Sequence, residues 1–369
     1  MRRQFATQMA NSPLHFIVPG SIQTKTGGYG YDRRVMDGLR ALGSDVQLYE
    51  LRGAFPVNDA VALSETSVIE TVPDGATVVV DGLALPAFAA RIEHTASRCC
   101  VIPLVHHLLV DETSLSDADR KELGAIERRC LRFARHVIVT SPATAIAVAA
   151  AGAPVGQITA VEPGVDHPRD GSCEVSEISG DGRLLIVSVG AVIARKGHLT
   201  LIRALAPLRD LDWRLQCFGS LTTDVTLSDE LRQLIVREGL SDQVELMGEV
   251  DDASLCDAYR RADIFALASA YEGYGMAFAE ALTHGLPIVG SGDGAVHDTV
   301  PNAAGILTPV GDVAAMSAAL GDILRDATLR ETLSKGAKHA GAKLLSWDSV
   351  ARRFKGAIDQ AQSAFAALE

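Results

Sequence analysis

Short β-branched apolar runs alternate with longer helical stretches, twice over, along this chain of 369 residues. The first series is "LHFIVPG", "DVQLYEL", "ATVVVDG", "CCVIPLVHH", "RHVIVTS" and "QITAVEPG"; the second is "LLIVSVG", "WRLQCFG", "QVELMG", "DIFALAS", "LPIVG" and "AGILT". Several runs lack polar alternation, which marks strands covered on both faces. Helical patterning falls between them, over 29–41 and 117–134 in the first half and over 197–209, 227–238, 253–262 and 278–284 in the second. Strand–helix alternation of this kind predicts doubly wound parallel sheets. Residues 163–183 are rich in Gly, Pro, Ser and acid and read as the linker between two domains. The expected division is 1–168, 169–350 and a C-terminal helix over 351–369 that crosses back to the first domain. Two tandem α/β domains would leave a cleft at the C-terminal strand ends, where such sheets bind ligands.

Composition narrows the function. The formal net charge of −12, with the acid concentrated in the C-terminal half, argues against a nucleic-acid partner. Cys99, Cys100, Cys130, Cys173, Cys217 and Cys256 form no C-x-x-C pair. Most lie in apolar runs, so they read as small buried hydrophobes in a cytoplasmic protein. The N-terminus lacks the apolar core of a secretory signal, and no run is long enough to span a bilayer.

The chemistry concentrates in "ASAYEGYGMAFAEALTHGLPIVG", residues 268–290. A buried strand is expected to end in a loop carrying Glu272, and a helix to start near Gly275–Met276 and close at Gly285 and Pro287. A helix N-terminus offers free N–H groups and a favourable dipole to an anion, and Gly273 and Gly275 let the backbone approach it. Glu272 either caps that helix or accepts a ligand hydroxyl; Glu280, inside the helix, is either a surface residue or a second hydroxyl acceptor. "ARKG" puts Arg195 and Lys196 at another strand-to-helix turn, as suits a diphosphate, although a solvated basic turn has the same pattern. "TGGYGYDR" is a glycine-rich turn without the third glycine of a dinucleotide fingerprint. His106 and His107 end an apolar strand, where one is expected to face a ligand. Lys121, Arg128, Arg132 and Arg135 share a helical face, either solvated or turned to anionic lipid at the inner membrane surface.

Taken together, "EGYGMAFAE" with its E-x7-E spacing, "RKG" at 195–197, "PGVD" at 163–166, "YRRAD" at 259–263 and "TGGY" near the start resemble the retaining nucleotide-sugar glycosyltransferases of family 4. The resemblance implies a GT-B fold of two Rossmann-like domains, the first for the acceptor and the second for the donor. It implies that Glu280 holds the ribose, Glu272 a hydroxyl of the donor sugar, and Gly273, Tyr274, Gly275 and Met276 the phosphates and sugar. Arg195 and Lys196 would bind the diphosphate, Gly28 would let the N-terminal segment approach the donor, and His106 would lie near the reacting carbon. Glu249 and Val250, in "GEVDD", would lie beside the base. The catalytic set implied is His106, Glu272, Arg195 and Lys196. The activity implied is transfer of a hexose from a UDP- or GDP-sugar to a glycan, a lipid-linked glycan or a small metabolite, with no cofactor. No metal is expected, since two cations face the diphosphate and "DAD" at 117–119 falls inside a helix. The sequence departs from the family at "GSLTTD" after the strand "LQCFG" and at "PGVD". An epimerase of the same fold, or a non-catalytic nucleotide-sugar-binding protein, would share the donor residues.

Overall fold

The computed structural model of the chain describes residues 12–112, 115–167 and 182–367. All twelve expected strands are present. The first six are β1 Leu14–Pro19, β2 Val46–Leu51, β3 Thr77–Asp81, β4 Cys100–Val105, β5 Val137–Val139 and β6 Ile158–Ala160. The second six are β7 Leu184–Val189, β8 Trp213–Phe218, β9 Val244–Gly248, β10 Ile264–Glu272, β11 Ile288–Gly294 and β12 Gly305–Thr308. They form two sheets, in the orders β2-β1-β3-β4-β5-β6 and β12-β11-β10-β7-β8-β9, with every pairing parallel.

The chain divides into two compact units, Met1–Gly164 with Leu345–Glu369, and Val165–Leu344. The breaks therefore fall at 164/165 and 344/345, where the sequence reading placed them at 168 and 350. Most of the expected linker, 168–181, and with it Cys173, lies outside the described residues.

In the first unit the inner strands β1, β3, β4 and β5 are buried, with Phe16, Val79 and Ile102 completely inaccessible, while the edge strands β2 and β6 are partly exposed. The final helix, Trp347–Ala366, buries Val350, Phe354, Ile358 and Phe365 and packs on the Gly27–Ala41 helix. The contact is close. Tyr31 meets Trp347 edge-on at 6.0 Å, Arg34 lies over the Trp347 ring, and a Cβ on Gly38 would come within 2.4 Å of Ala351. The basic face expected of Lys121, Arg128, Arg132 and Arg135 is present at three of the four positions. Lys121 and Arg128 of the Asp117–Leu131 helix and Arg132 at its C-cap are exposed, but Arg135 lies beyond the helix, donating to Ala96 O and covering Phe365.

In the second unit the chain switches direction across the sheet at β7. β8 and then β9 continue to one side of β7, and β10, β11 and β12 lie on the other. Ligands of open α/β sheets bind at the C-terminal ends of the strands at such a point. Two glycines are sterically required here. A Cβ on Gly197 (φ 65°) would lie 1.8 Å from Ala268 O, and one on Gly219 (φ 139°) 2.2 Å from Gly190 O.

Candidate functional site

The residues singled out in the second unit converge at the β7/β10 switch point. β10 extends through Glu272, which pairs in register with Gly294 of β11, so Glu272 ends a strand rather than sitting in a loop. Nor does it cap the following helix. The Met276–Thr283 helix has Gly275 (φ 91°) as its N-cap and no side-chain cap bond. The Glu272 carboxylate is turned to the other turn instead. Lys196 Nζ donates to Oε1 at 2.6 Å, Ser269 Oγ donates to the same oxygen at 2.6 Å, and Arg195 Nη1 lies 3.6 Å from Oε2. Arg195 Nη1 also donates to Tyr271 O at 2.9 Å. The two cations thus belong to the structure of the turn as well as facing it.

The electrostatics follow from burial. Burial alone would raise the Glu272 carboxyl, but Lys196, Arg195 and the Ser269 hydroxyl hold it below the usual carboxylate value. Burial lowers the Lys196 ammonium, against the pull of Glu272 and with the push of adjoining Arg195. Lys196 and Arg195 each keep 16% of their side-chain surface exposed, so both remain open to a ligand.

Both helices that start at this switch point lack a side-chain cap: Met276–Thr283, and His198–Leu205 behind Gly197. The other long helices of this unit, Val225–Arg237, Asp252–Arg261, Val313–Arg325 and Ala327–Gly341, are capped by Asp224, Asp251, Asp312 and Asp326. An aspartate cap satisfies the first-turn N–H groups. Two adjoining helix ends without a side-chain cap, beside two cations, have the chemistry to take an anion.

Glu280 is half-buried one turn into its helix, and its Oε2 accepts from Tyr259 Oη at 2.9 Å. Burial, with Asp166 and Asp252 nearby, pushes its carboxyl up to about 7 from an ordinary 4.5. The folded state therefore binds this proton more tightly than the unfolded one. The group's contribution to stability falls as pH rises from about 4.5 to about 7. In Glu280→Gln that fall is expected to be absent. Denaturant titrations of both proteins at pH 5 and pH 8 test this: wild type should lose stability relative to the variant at the higher pH, and parallel behaviour would remove Glu280 as a buried titrating group.

The remaining donor positions are less concentrated. Tyr274 is buried against Val165 and Ala279, and its carbonyl accepts from Thr299 Oγ1 at 2.7 Å, which fixes the turn from behind. Gly273 and Met276 flank it on the same turn and are half-buried. Glu249 is exposed and Val250 half-buried, in the connection from β9 to the Asp252–Arg261 helix.

In the first unit the glycine-rich segment is not a turn before a helix but the first turn of the Gly27–Ala41 helix itself, capped by Thr26. Gly28 packs on the imidazole of His106; a Cβ there would lie 3.4 Å from Cδ2. His106 Nε2 faces two carboxylates, Asp32 Oδ1 at 3.2 Å and Asp81 Oδ2 at 3.5 Å. Burial works against charge on this imidazole, but the two carboxylates outweigh it and push the ring up to about 10. His107 pairs with Glu112 at 3.2 Å.

The sequence reading missed Asp32, Asp81, Ser269 and Glu127. Asp32 had a signal: it interrupts the buried stripe Tyr31, Val35, Met36, Leu39 of its helix. Glu127 likewise sits on the buried side of its helix, accepts Leu109 N at 3.0 Å and is pushed by burial up to about 8. It tethers the segment after β4.

Residues 175–340 match the family model of glycosyl transferases group 1. A D-inositol 3-phosphate glycosyltransferase of Salinispora tropica is 29% identical over 274 residues, 67% of this chain and 57% of the relative. An MMP alpha-(1->4)-mannosyltransferase of Mycolicibacterium hassiacum is 29% identical over 219 residues, 57% of this chain and 50% of the relative. The matched part of the chain thus spans about half the length of these curated relatives. Among solved structures, the sucrose-phosphate synthase of Thermosynechococcus elongatus superposes with a TM-score of 0.78 at 20% identity, covering 94% of this chain and 98% of that one. Anabaena Alr3699/HepE in complex with UDP-glucose gives 0.73 at 19%, covering 93% and 98%. The fold is the two-domain GT-B fold expected from the sequence.

Proposed function

We propose that this protein is a retaining, metal-independent hexosyltransferase that moves a sugar from a nucleoside-diphosphate sugar to a hydroxyl acceptor. The observation that carries this is the uncapped pair of helix N-termini beside Arg195 and Lys196 at the β7/β10 switch point. The likeness to glycosyl transferases group 1, the names of the curated relatives and the UDP-glucose in the Anabaena structure support it. In this reading the phosphates lie on the two helix ends, Glu280 accepts the ribose hydroxyls, and Glu272 with the Gly273–Met276 turn meets the donor sugar. Glu249 and Val250 lie beside the base, and His106, with Gly28 against its ring, is carried over as a catalytic residue from the family resemblance.

The chemistry follows from what the residues can supply. Glu272 is committed to two cations and a hydroxyl, which makes it a poor nucleophile. Retention then proceeds by front-face displacement: the bond from the anomeric carbon to the leaving phosphate breaks, the acceptor oxygen bonds on the same face, and the departing phosphate takes the acceptor's proton. Arg195, Lys196 and the helix N–H groups stabilise the charge growing on that phosphate, the part a metal plays elsewhere.

A panel of UDP- and GDP-sugars, read by thermal shift and slow donor hydrolysis, tests the reading. Stabilisation by one donor together with its hydrolysis is expected, and no response to any sugar nucleotide would overturn it. Arg195→Ala is expected to lower turnover more than stability: it removes a cation proposed to face the leaving phosphate, while the fold loses the bond to Tyr271 O and a 3.6 Å ion pair with Glu272. An unchanged turnover would remove Arg195 from the mechanism.

The Asp117–Leu131 helix reads as a solvated face. Its exposed cations alternate with Asp117, Asp119 and Glu122, and Arg135 is turned inward. No flotation with anionic vesicles at low salt is expected; flotation would assign the helix to a membrane surface.

A further inference from the structure

We propose that Tyr259 is a positioning residue for nucleotide binding: its hydroxyl holds one carboxylate oxygen of Glu280 and leaves the other to accept the donor's ribose. This rests on the transferase reading above, in which Glu280 takes the ribose hydroxyls.

The geometry lies within the second unit. Tyr259 belongs to the Asp252–Arg261 helix, whose first turn is fixed by Asp251. It is 2% exposed and belongs to the apolar cluster of Phe265, Leu267, Phe278 and Leu282. Its ring stacks on His284 at 5.3 Å and lies against Phe265 at 6.1 Å. A ring packed this closely has little freedom to turn, so its hydroxyl is held in one place. That place is beside the Met276–Thr283 helix. Tyr259 Oη donates to Glu280 Oε2 at 2.9 Å and lies 3.3 Å from Ala277 O. The hydroxyl has one proton to give, and the shorter contact, to a carboxylate, is the stronger of the two. Among the described residues Glu280 Oε1 has no such partner. One oxygen is thus fixed by the protein and the other is left for a ligand.

The surroundings give the hydroxyl this purpose. A phenylalanine ring would fill the same apolar space, so what the hydroxyl adds is its bond. Burial and the nearby Glu280 carboxylate hold the phenol well above its ordinary value, so it remains a donor at any working pH. Around Glu280, burial opposes ionisation, as do Asp166 ahead of β7 and Asp252 on the helix of Tyr259. Lys196, from the turn after β7, and the Tyr259 hydroxyl favour it. The ionised carboxylate is the better acceptor for a ribose hydroxyl. Tyr259 therefore aims Glu280 and keeps it in the form that binds.

Tyr259→Phe removes the hydroxyl and keeps the ring. Calorimetry with UDP and GDP from pH 6 to pH 9, taken as the ratio to wild type at each pH, cancels the titration of the nucleotide itself. Without this donor the Glu280 carboxyl should titrate above its present value of about 7. Affinity for whichever nucleotide binds is expected to be roughly 10-fold weaker than wild type at pH 7. The loss should shrink towards pH 9, where Glu280 is ionised in both proteins. In a Glu280→Ala background the same change should cost no further affinity, since Tyr259 acts through that carboxylate. Circular dichroism and melting at each pH establish that the variants are folded. Full affinity in Tyr259→Phe, a loss equal at every pH, or a loss that persists in the Glu280→Ala background overturns the proposal and makes Tyr259 a packing residue. Those outcomes leave the transferase reading standing, whereas a wild type that binds neither nucleotide overturns both.

Discussion

Glu272→Ala is expected to destabilise the protein by roughly 3–5 kcal/mol, the range for breaking a buried ion pair from one side. The substitution removes the partner of Lys196 Nζ at 2.6 Å and of Arg195, and it also frees Ser269 Oγ, which is completely buried. Lys196 retains some exposure, so the lower part of the range is the better expectation. The same change should leave affinity for a nucleoside diphosphate undiminished, or raise it, because two cations no longer share their charge with a carboxylate. Turnover with the intact donor should fall. Denaturant titration and calorimetry with UDP and GDP give both readings. A stability loss under about 1 kcal/mol would show that the ion cluster does not hold the turn, and a loss of diphosphate affinity would show that Glu272 contributes directly to that ligand.

Glu280→Ala is expected to do the reverse. Among the described residues its carboxylate accepts only from Tyr259, and Tyr259 Oη also lies 3.3 Å from Ala277 O, so the hydroxyl keeps an acceptor when the carboxylate is gone. Burial holds the Glu280 carboxyl at about 7, so near neutral pH its ionised form weakens the fold. Stability should be unchanged or slightly higher. A hydrogen bond to a charged group contributes roughly 1.5–3 kcal/mol. Loss of a ribose contact should therefore weaken nucleoside diphosphate binding by roughly 10–150-fold. Unchanged affinity would return Glu280 to a helix residue that pairs with Tyr259.

The two glutamates of one motif thus separate on a physical criterion. One carboxylate is lowered by cations and stabilises its turn; the other is raised by burial and weakens the fold. A buried group that costs stability and has a single replaceable partner is the stronger candidate for a ligand contact.

Much of this was legible without coordinates because it depends on local order along the chain. All twelve strands and six of the helices between them follow from periodicity, since a two-sided strand and an amphipathic helix each write their environment into neighbouring residues; the shorter helices such as Ala60–Glu65, Ile92–Arg98 and Pro142–Ala150 did not. Glu272, Glu280, Arg195 and Lys196 were legible as a set, because strand-to-helix turns carry glycines and charges at fixed spacing. What each side chain does there was not. That Glu272 ends a strand and binds the "ARKG" turn, rather than capping its own helix, depends on β7 and β10 lying side by side, although 76 residues separate Lys196 from Glu272. Asp32, Asp81 and His106 are equally scattered, on a helix and two strand ends, and no spacing rule joins them. Local sequence determines which elements form and which turns carry charge. The order of strands in the sheet decides which charges meet, because ion pairing falls steeply with distance and only tertiary structure sets that distance.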